Sequence, residues 1–308
     1  MGFHEQLDNL VKETEEIIYG FAPAEEGYQK TVFEAMNYSF KAGGKRLRPL
    51  IMHETFKCLG GNENLVHPFM AALEMIHTYS LIHDDLPEMD NDDLRRGKPT
   101  NHVVYGQAMA VLAGDGLLNY AFETALKAGS QAKDDCERAK VLSAITVLAK
   151  KAGVYGMIGG QCVDVEAEKK NQKLTEEQLL FTYENKTSAL LEAAFVVGAI
   201  LAGADKDTVD AFERAGSSLG LAFQLQDDIL DITSTEEELG KPIGSDEKNG
   251  KVTYVSYIGM DNAVKLQKEK SIQAVEELCA IERMGVIKNG ESLEFLKQLI
   301  KMLVDRRS

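Results

Sequence analysis

The sequence of 308 residues contains no tryptophan and few cysteines, prolines and histidines. Its four cysteines lie far apart and form neither a CxxC pair nor a zinc-binding spacing, which favours free thiols in a reducing cytosol. No apolar run approaches the roughly 18 residues that a membrane span needs, and the polar, acidic N-terminus is unlike a signal peptide. We therefore expect a cytoplasmic protein without stable membrane insertion.

Positive charge is also scarce in this chain. It has 34 Lys and Arg residues against 49 Asp and Glu residues, which gives a formal net charge of -15 at pH 7. Such an acidic chain is a poor partner for nucleic acids and for anionic membrane surfaces, so we expect no nucleic-acid ligand. Any anionic ligand would have to be bound by a local basic cluster or through metal ions.

Alternating strand patterns are nearly absent, and the dominant hydrophobic period is helical. The segments "GQAMAVLAGDGLLNYAFETALKAG" and "TSALLEAAFVVGAILAGA" are apolar nearly all round, which is typical of helices in the centre of a bundle. No proline lies between residues 100 and 241, and no linker or repeat divides the chain. The sequence predicts one all-α domain over residues 1–308. The predicted loops are Gly20–Glu26, Gly60–Asn64, Met89–His102 and Thr235–Thr253.

A first acidic motif, "DDLPEMDNDD", places six carboxylates within ten residues at the end of an apolar helical segment. Six residues correspond to about 600° of helical rotation, so a straight helix would not align Asp84 with Asp90, whereas a turn around Leu86–Met89 would bring them together. A calcium loop starting at Asp90 is excluded, because its sixth position is Arg95 rather than Gly and its twelfth is Asn101 rather than Glu. Taken alone, such a cluster is more often a solvated acidic loop.

A second acidic motif lies in "LAFQLQDDILDIT". Asp227 and Asp231 are four residues apart and share one helix face with Gln224, and like charges at this spacing repel one another unless a cation lies between them. Two such clusters, each ending an apolar helix, indicate facing walls of a pocket. Ligand sets made of oxygen alone suit Mg²⁺ or Mn²⁺.

Fixed positive charge is concentrated in "KAGGKRLRPL", where glycines would allow a ligand close to the backbone and arginine offers a fork for phosphate. A basic turn between two helices is the alternative interpretation. The basic candidates are Lys41, Lys45, Arg46, Arg48, Arg95, Arg96, Lys186, Lys241 and Lys251. Acidic residues that would bind metal, together with separate basic residues that would bind phosphate, imply two anionic substrates. No P-loop and no GxGxxG after a strand is present, so a standard nucleotide site is unsupported.

These motifs together resemble the trans-polyprenyl (isoprenyl) diphosphate synthase family. The resemblance rests on "GGKRLRP", "DDLPEMDNDDLRRGKPTNH", "GGQCVDVEAE", the "KT" at residues 186–187 and "FQLQDDILD", in the family's order over roughly residues 41–254. It implies a single large helical bundle of the isoprenoid synthase type with a deep central pocket, assembled as a homodimer. It also implies three Mg²⁺ ions in each site, for which Mn²⁺ could substitute.

The resemblance also assigns roles to individual residues. The implied metal ligands are Asp84, Asp85, Asp90, Asp227 and Asp231. The residues implied to hold isopentenyl diphosphate are Lys45, Arg48, His77 and Arg96. Those implied to surround the allylic diphosphate are Arg95, Lys186, Thr187, Gln224 and Lys241, with Arg95 and Lys186 counted among the catalytic groups.

The implied reaction is head-to-tail prenyl transfer. The metal ions would stabilise the departing pyrophosphate, the alkene of isopentenyl diphosphate would attack the allylic cation, and pyrophosphate would take the final proton. A terpene cyclase is disfavoured because both "GGKRLRP" and a complete second "DDxxD" are present. A non-catalytic regulatory subunit is disfavoured because neither acidic motif has lost an acid.

Product length is expected to depend on Tyr79, which lies five residues before Asp84, about 7.5 Å back along the helix. A bulky aromatic there would form the floor for the hydrocarbon tail, and the small Ser80 would not block it. The spacing resembles that of bacterial farnesyl diphosphate synthases, which implies a fifteen-carbon product from dimethylallyl or geranyl diphosphate. An ordinary buried tyrosine with its hydroxyl satisfied, and a geranylgeranyl or longer-chain synthase, are the alternatives.

Overall fold

The computed structural model describes residues 2–61, 64–170, 172–233 and 253–305. Apart from one hairpin of two-residue strands, the regular structure of these residues is helical, so the predicted all-α class is confirmed. The chain divides into two compact units, one of Met1–His53 with Asn62–Ile145 and one of Glu54–Gly61 with Thr146–Ser308. The single domain expected over residues 1–308 stays a prediction.

The first unit contains the N-terminal helices and the first acidic motif. Its helices are α1 (Phe3–Tyr19), α2 (Lys30–Phe40), the start of α3 (Leu47–Cys58), α4 (His67–Asp84), α5 (Asn101–Tyr105), α6 (Gln107–Gln131) and the start of α7 (Asp135–Ala152), with a short 3₁₀ turn at Asn64–Val66. Helix α4 packs along α6 and is buried on most sides. The antiparallel hairpin of β1 (Leu94–Arg95) and β2 (Lys98–Pro99) follows the first acidic motif.

The second unit contains the second acidic motif. Its further elements are α8 (Met157–Lys169), α9 (Glu176–Thr182), a π-helical segment (Tyr183–Ser188), α10 (Ala189–Ala202), α11 (Lys206–Thr233), α12 (Tyr254–Ile258), α13 (Met260–Arg283) and α14 (Gly290–Asp305). Helix α11 packs against both α10 and α13. A capping box of Thr175 and Gln178 begins α9.

The two helices predicted to lie in the centre of a bundle behave differently. Helix α10 is buried on nearly all sides, as predicted. Helix α6 buries one stripe of mostly small residues and exposes Val111, Leu112 and Leu126. The prediction that α6 is buried on all sides is therefore wrong within a single chain. The reason is that its buried positions recur every three or four residues, which places them on one face, while large apolar side chains occupy the other.

Two stretches, Asp135–Lys169 and Glu176–Ala202, are long and apolar enough to cross a membrane by length and composition alone. The expectation that no stretch reaches this length is therefore wrong. The apolar window of the second stretch is 72% buried inside the protein, as in the core helix of many proteins, so the finding is weak support for a membrane span.

Candidate active site

The first acidic motif turns back on itself at the end of α4. The backbone N–H of Asp90 donates to the carbonyl of Asp84 at 2.9 Å, and that of Asn91 donates to the carbonyl of Leu86 at 3.0 Å. Asn91 adopts a φ of 56°, in the left-handed region that asparagine tolerates well. The predicted turn that returns Asp90 to Asp84 is thus confirmed, and it places two aspartates of one motif at neighbouring backbone positions.

The two adjacent aspartates of this motif have different surroundings. Asp84 is half-buried, whereas Asp85 is only 3% exposed and one of its carboxylate oxygens accepts hydrogen bonds from Arg95 Nε and Nη2, both at 2.6 Å. Burial raises the pKa of Asp85, although Arg95 opposes that shift. A cation bound at Asp85 would therefore share this carboxylate with Arg95.

Arg96 lies at the tip of the hairpin, where it and Gly97 have φ values of 53° and 72°. Both residues of this two-residue turn are left-handed, which matches the twist of the strands on either side. The guanidinium of Arg96 donates to the carbonyl of Gly43, and a Cβ on Gly44 would lie 2.7 Å from the guanidinium carbon. Glycine at position 44 thus leaves room for the Arg96 guanidinium beside the basic loop, residues 41–46.

Arg46 does not belong with the ligand-binding cations with which the sequence grouped it. Its side chain is buried and donates to Glu15 at 3.0 Å, Glu74 at 2.6 Å, Tyr19 at 2.5 Å and the carbonyl of Phe40 at 3.0 Å. Its φ of 47° shows that the loop adopts a left-handed turn at this point. Arg46 holds the basic loop to α1 and α4 and leaves Lys45 exposed.

Arg48 and His77 lie together, as the sequence-based assignment of both to one substrate requires. The guanidinium of Arg48 is 3.3 Å from Nε2 of His77. Because arginine can only donate, His77 accepts this bond with an unprotonated Nε2. Burial lowers the pKa of His77 well below its ordinary value, and the charges of Arg48, Arg96, Arg95 and Arg46 lower it further, so this histidine is neutral at pH 7.

The second acidic motif remains within one continuous helix, α11, to Thr233. Asp227 is half-buried, and Asp228 and Asp231 are buried. The carboxylate of Asp228 accepts a hydrogen bond from the hydroxyl of Tyr183 on one oxygen and from Gln224 Nε2, at 3.1 Å, on the other. Tyr183 could not be identified from the sequence, because its partner Asp228 lies 45 positions away along the chain.

Lys186 and Thr187 lie in the π-helical segment, a rare conformation that is frequent at functional sites. Lys186 Nζ is 2.6 Å from the carboxylate of Asp164 on α8, and the hydroxyl of Thr187 donates to Gln224 Oε1 at 2.7 Å. The predicted proximity of Thr187 and Gln224 is therefore present. Asp164 was not singled out from the sequence, although it lies within the quoted segment "GGQCVDVEAE".

The π-helical segment packs closely against its neighbours. A Cβ on Gly160 of α8 would overlap the backbone nitrogen of Lys186, and a Cβ on Gly220 of α11 would overlap the side chain of Ser188. The glycines therefore permit backbone contact on two sides of this segment. Lys241 and Lys251, the other predicted phosphate ligands of this half of the chain, lie outside the described residues.

The donor chemistry of both motifs fits Mg²⁺, because the candidate ligands are carboxylate oxygens without Cys or His among them. Within the described ranges, no three His, Cys, Asp or Glu side chains converge as a ready-made metal site. Mg²⁺ usually binds proteins through one or two carboxylates and completes its shell with water and substrate phosphates. The two exposed or half-buried aspartates that the turn brings together, Asp84 and Asp90, suit that mode of binding.

Tyr79 is 5% exposed and lies on α4 with its ring against that of His83, at a centroid distance of 5.7 Å. Among the described residues its buried hydroxyl has no hydrogen-bond partner. Burial, with a contribution from Asp84, raises the pKa of Tyr79 to about 12. The hydroxyl of the half-buried Ser80 donates to the carbonyl of His77 at 2.9 Å. Tyr79 thus differs from the alternative considered above, a buried tyrosine with its hydroxyl satisfied.

The chain is similar to known proteins over most of its length. Residues 29–284 match the family described as polyprenyl synthetase. A farnesyl diphosphate synthase of Geobacillus stearothermophilus is 48% identical over 267 residues, which cover 87% of this chain and 86% of that protein. A geranylgeranyl diphosphate synthase of Cyanophora paradoxa is 44% identical over 255 residues, 83% of each chain. The apo crystal structure of an FPP/GFPP synthase from Zymomonas mobilis is 31% identical and matches 98% of both chains with a TM-score of 0.83.

Proposed function

The chain belongs to the polyprenyl synthetase family and is a prenyltransferase, and we propose that it condenses dimethylallyl or geranyl diphosphate with isopentenyl diphosphate to give farnesyl diphosphate and pyrophosphate. The resemblance found in the sequence and the all-α fold type are thereby confirmed. The observation that carries the proposed reaction is the turn that returns Asp90 to Asp84, because it allows one motif to offer two carboxylates to a metal-bound diphosphate.

The basic residues of the first unit are proposed to hold isopentenyl diphosphate. Lys45 is exposed and Arg48 is half-buried, and Arg96 meets the basic loop at Gly43 and Gly44. A neutral His77 can offer its remaining N–H to a diphosphate oxygen while Nε2 accepts from Arg48. These groups would neutralise and orient the diphosphate without any metal ion.

The allylic diphosphate is proposed to be bound by Arg95, Lys186, Thr187, Gln224 and Lys241, and through Mg²⁺ by Asp84, Asp85, Asp90, Asp227 and Asp231. When bound, three Mg²⁺ ions would neutralise the diphosphate and stabilise it as a leaving group, and Mn²⁺ could replace them. Arg95 and Lys186 already contact carboxylates, Asp85 and Asp164, so each is held in place before substrate arrives. Preorganised cations of this kind stabilise charge that develops on the leaving pyrophosphate.

The proposed reaction breaks the bond between the allylic carbon and the diphosphate oxygen, and the electron pair leaves with pyrophosphate. The alkene of isopentenyl diphosphate then supplies the electrons of the new carbon–carbon bond, and pyrophosphate accepts the proton that is lost. The role of the protein in this step is to orient the two substrates and to exclude water from the cation.

The fifteen-carbon product is proposed from Tyr79. Its aromatic ring lies five residues before Asp84 and is buried, and its hydroxyl has no hydrogen-bond partner among the described residues. Such a ring is suited to stop a growing hydrocarbon chain. Because relatives of similar identity are named for farnesyl and for geranylgeranyl products, a twenty-carbon product is the alternative.

The exposed apolar side chains of α6 support assembly as a homodimer. Val111, Leu112 and Leu126 lie on the face of α6 that the chain itself leaves uncovered, and large exposed apolar patches commonly mark protein interfaces. With its net charge of -15, the dimer is proposed to act in the cytoplasm without nucleic acid and without stable membrane insertion.

Product analysis tests the proposed function. The purified protein is incubated with Mg²⁺, isopentenyl diphosphate and dimethylallyl diphosphate, and the dephosphorylated products are separated by chromatography. We expect farnesol as the main product after two condensations. Geranylgeraniol would establish the alternative chain length. A well-folded protein that releases no pyrophosphate would instead support a non-catalytic regulatory subunit.

A further inference from the structure

The second acidic motif and the π-helical segment are joined by two pairs of side chains. Tyr183 and Thr187 are four residues apart on the π-helical segment, and Gln224 and Asp228 are four residues apart on α11. Tyr183 donates to Asp228, Thr187 donates to Gln224, and Gln224 donates to Asp228. The four side chains therefore form one chain of hydrogen bonds, and every step of it has a defined donor and acceptor.

This chain continues to a third element. The backbone N–H of Tyr254, the first residue of α12, donates to the hydroxyl of Tyr183 at 2.9 Å. This N–H is one of the donors at a helix start that have no partner within the helix. Tyr183 thus receives one hydrogen bond from α12 and gives one to α11, and its hydroxyl has a fixed orientation.

Asp228 is buried, and each oxygen of its carboxylate accepts a hydrogen bond from a neutral donor, the hydroxyl of Tyr183 or the side-chain amide of Gln224. Asp227 is its immediate neighbour in sequence and Thr187 lies at the other end of the chain of bonds. A substitution at Tyr183 would therefore affect the position of two groups, the backbone that carries Asp227 and the side chain of Thr187.

We propose that Tyr183 is a positioning residue, which acts through Asp228 and Gln224 to fix the part of the allylic diphosphate site formed by Thr187 and the second acidic motif. This role rests on the proposed function. The hydroxyl itself contacts no substrate in this proposal. Its effect is to hold Asp228 in one orientation, so that the neighbouring Asp227 and the hydroxyl of Thr187 are presented to the diphosphate without rearrangement.

The apolar surroundings of Tyr183 provide a matched control. Tyr183 and Tyr254 are buried in the same hydrophobic cluster, with ring centroids 6.2 Å apart. The hydroxyl of Tyr254 donates to Glu176 at 2.8 Å and takes no part in the chain, which uses only the backbone N–H of Tyr254. Phenylalanine at either position keeps the ring and removes one hydrogen-bonded hydroxyl, but only Tyr183→Phe breaks the chain of bonds.

The experiment compares the wild type, Tyr183→Phe and Tyr254→Phe by steady-state kinetics with both substrates varied. We expect Tyr183→Phe to raise the KM for geranyl diphosphate on the order of tenfold, the effect of losing one hydrogen bond to a charged group, while the KM for isopentenyl diphosphate stays within about twofold. Tyr254→Phe should leave both constants near their wild-type values, although both variants lower the unfolding temperature.

A binding measurement without turnover accompanies the kinetics. Calorimetric titration with inorganic pyrophosphate and Mg²⁺ should show weaker binding to Tyr183→Phe, by a similar factor, and unchanged binding to Tyr254→Phe. The positioning role is overturned if Tyr183→Phe binds and turns over the allylic substrate like the wild type, or if Tyr254→Phe shows the same selective loss. If the wild type itself forms no prenyl product, the proposed function fails instead.

Discussion

Each acidic motif contains a buried aspartate, but the side chains that bind this aspartate differ between the two motifs. In each, an aspartate that is half-buried, Asp84 or Asp227, precedes one that is 3% exposed, Asp85 or Asp228. The buried aspartate of the first motif is bound by the guanidinium of Arg95. That of the second motif is bound by a neutral hydroxyl and a neutral amide.

This difference indicates how the conformation of each motif is maintained. Where α4 ends and the chain turns back, a charged partner on the following hairpin holds Asp85. Where α11 continues, the helix itself fixes the backbone, and two neutral hydrogen bonds help to orient Asp228. We expect the first motif to depend on an ion pair and the second on hydrogen-bond geometry.

The largest expected effect comes from the half-buried aspartates. Asp84→Ala and Asp227→Ala each remove a proposed metal ligand, so turnover should fall by about a hundredfold to a thousandfold, as when a group that stabilises developing charge is lost. Turnover with saturating Mg²⁺ and both substrates, alongside circular dichroism, checks this. Near-normal turnover by either folded variant would contradict a metal role for that motif.

Substitutions in the first and the second unit should raise the KM of different substrates. Lys45→Ala and Arg48→Ala, in the first unit, should raise mainly the KM for isopentenyl diphosphate, with a cost of about 1.5–3 kcal/mol for each charge-assisted contact. Lys186→Ala, in the second unit, should act mainly on the allylic substrate. Steady-state kinetics with each substrate varied in turn decides, and the reverse pattern would exchange the two assignments.

The ion pair of the first motif should be visible in stability. Arg95→Gln leaves the buried Asp85 without its cation, and because Arg95 is about a third exposed we expect a loss of about 1–2 kcal/mol in the free energy of unfolding, below the cost of breaking a fully buried pair. Urea unfolding at pH 7 measures this. Asp85→Asn is the matched variant, since it removes the buried charge and should cost less than Arg95→Gln.

Product length tests whether α4, which ends in the first motif, also limits the growing chain. Tyr79→Ala should shift products from fifteen carbons to twenty or more and leave the metal ligands in place. The neighbouring Thr78→Ala, which removes a hydroxyl bonded to the carbonyl of Glu74, should leave the product unchanged. Chromatography of the dephosphorylated products is the measurement, and an unchanged Tyr79→Ala product would place the floor elsewhere.

The smallest effect concerns His77 and pH. Because its folded pKa lies well below the ordinary value of about 6.5, the unfolded chain takes up a proton that the folded protein does not as the pH falls below that value. His77 therefore contributes stability that is present above pH 6.5 and is lost on acidification. His77→Gln should flatten this part of the curve of unfolding free energy against pH. An unchanged slope between about pH 6.5 and pH 5 would show that His77 is protonated in the folded state.

Local sequence features predicted the helical class and the turn of the first motif, because a proline and a cluster of acids act within a few residues. The burial of Arg46 could not be predicted in the same way. Its partners Glu15 and Glu74 lie 31 and 28 positions away, and a charge in a basic loop looks the same in sequence whether it faces a ligand or an internal carboxylate. Tyr183 was missed for the same reason.

The face of α6 shows a different limit. Its sequence is apolar nearly all round, which predicts burial on every side, but a single chain covers only the stripe of small residues. Apolar character specifies that a surface avoids water and does not specify whether the covering atoms belong to the same chain.

The bond between the Tyr254 N–H and Tyr183 also has a consequence for hydrogen exchange. Amide hydrogens in the first turn of a helix usually exchange with deuterium quickly, because no carbonyl within the helix protects them. The Tyr254 amide is instead held by a buried hydroxyl, so its exchange requires the contact between α12 and Tyr183 to open. The exchange rate of this single amide, compared with that of its neighbours in α12, therefore reports how often the second acidic motif loses its support in the absence of any substrate.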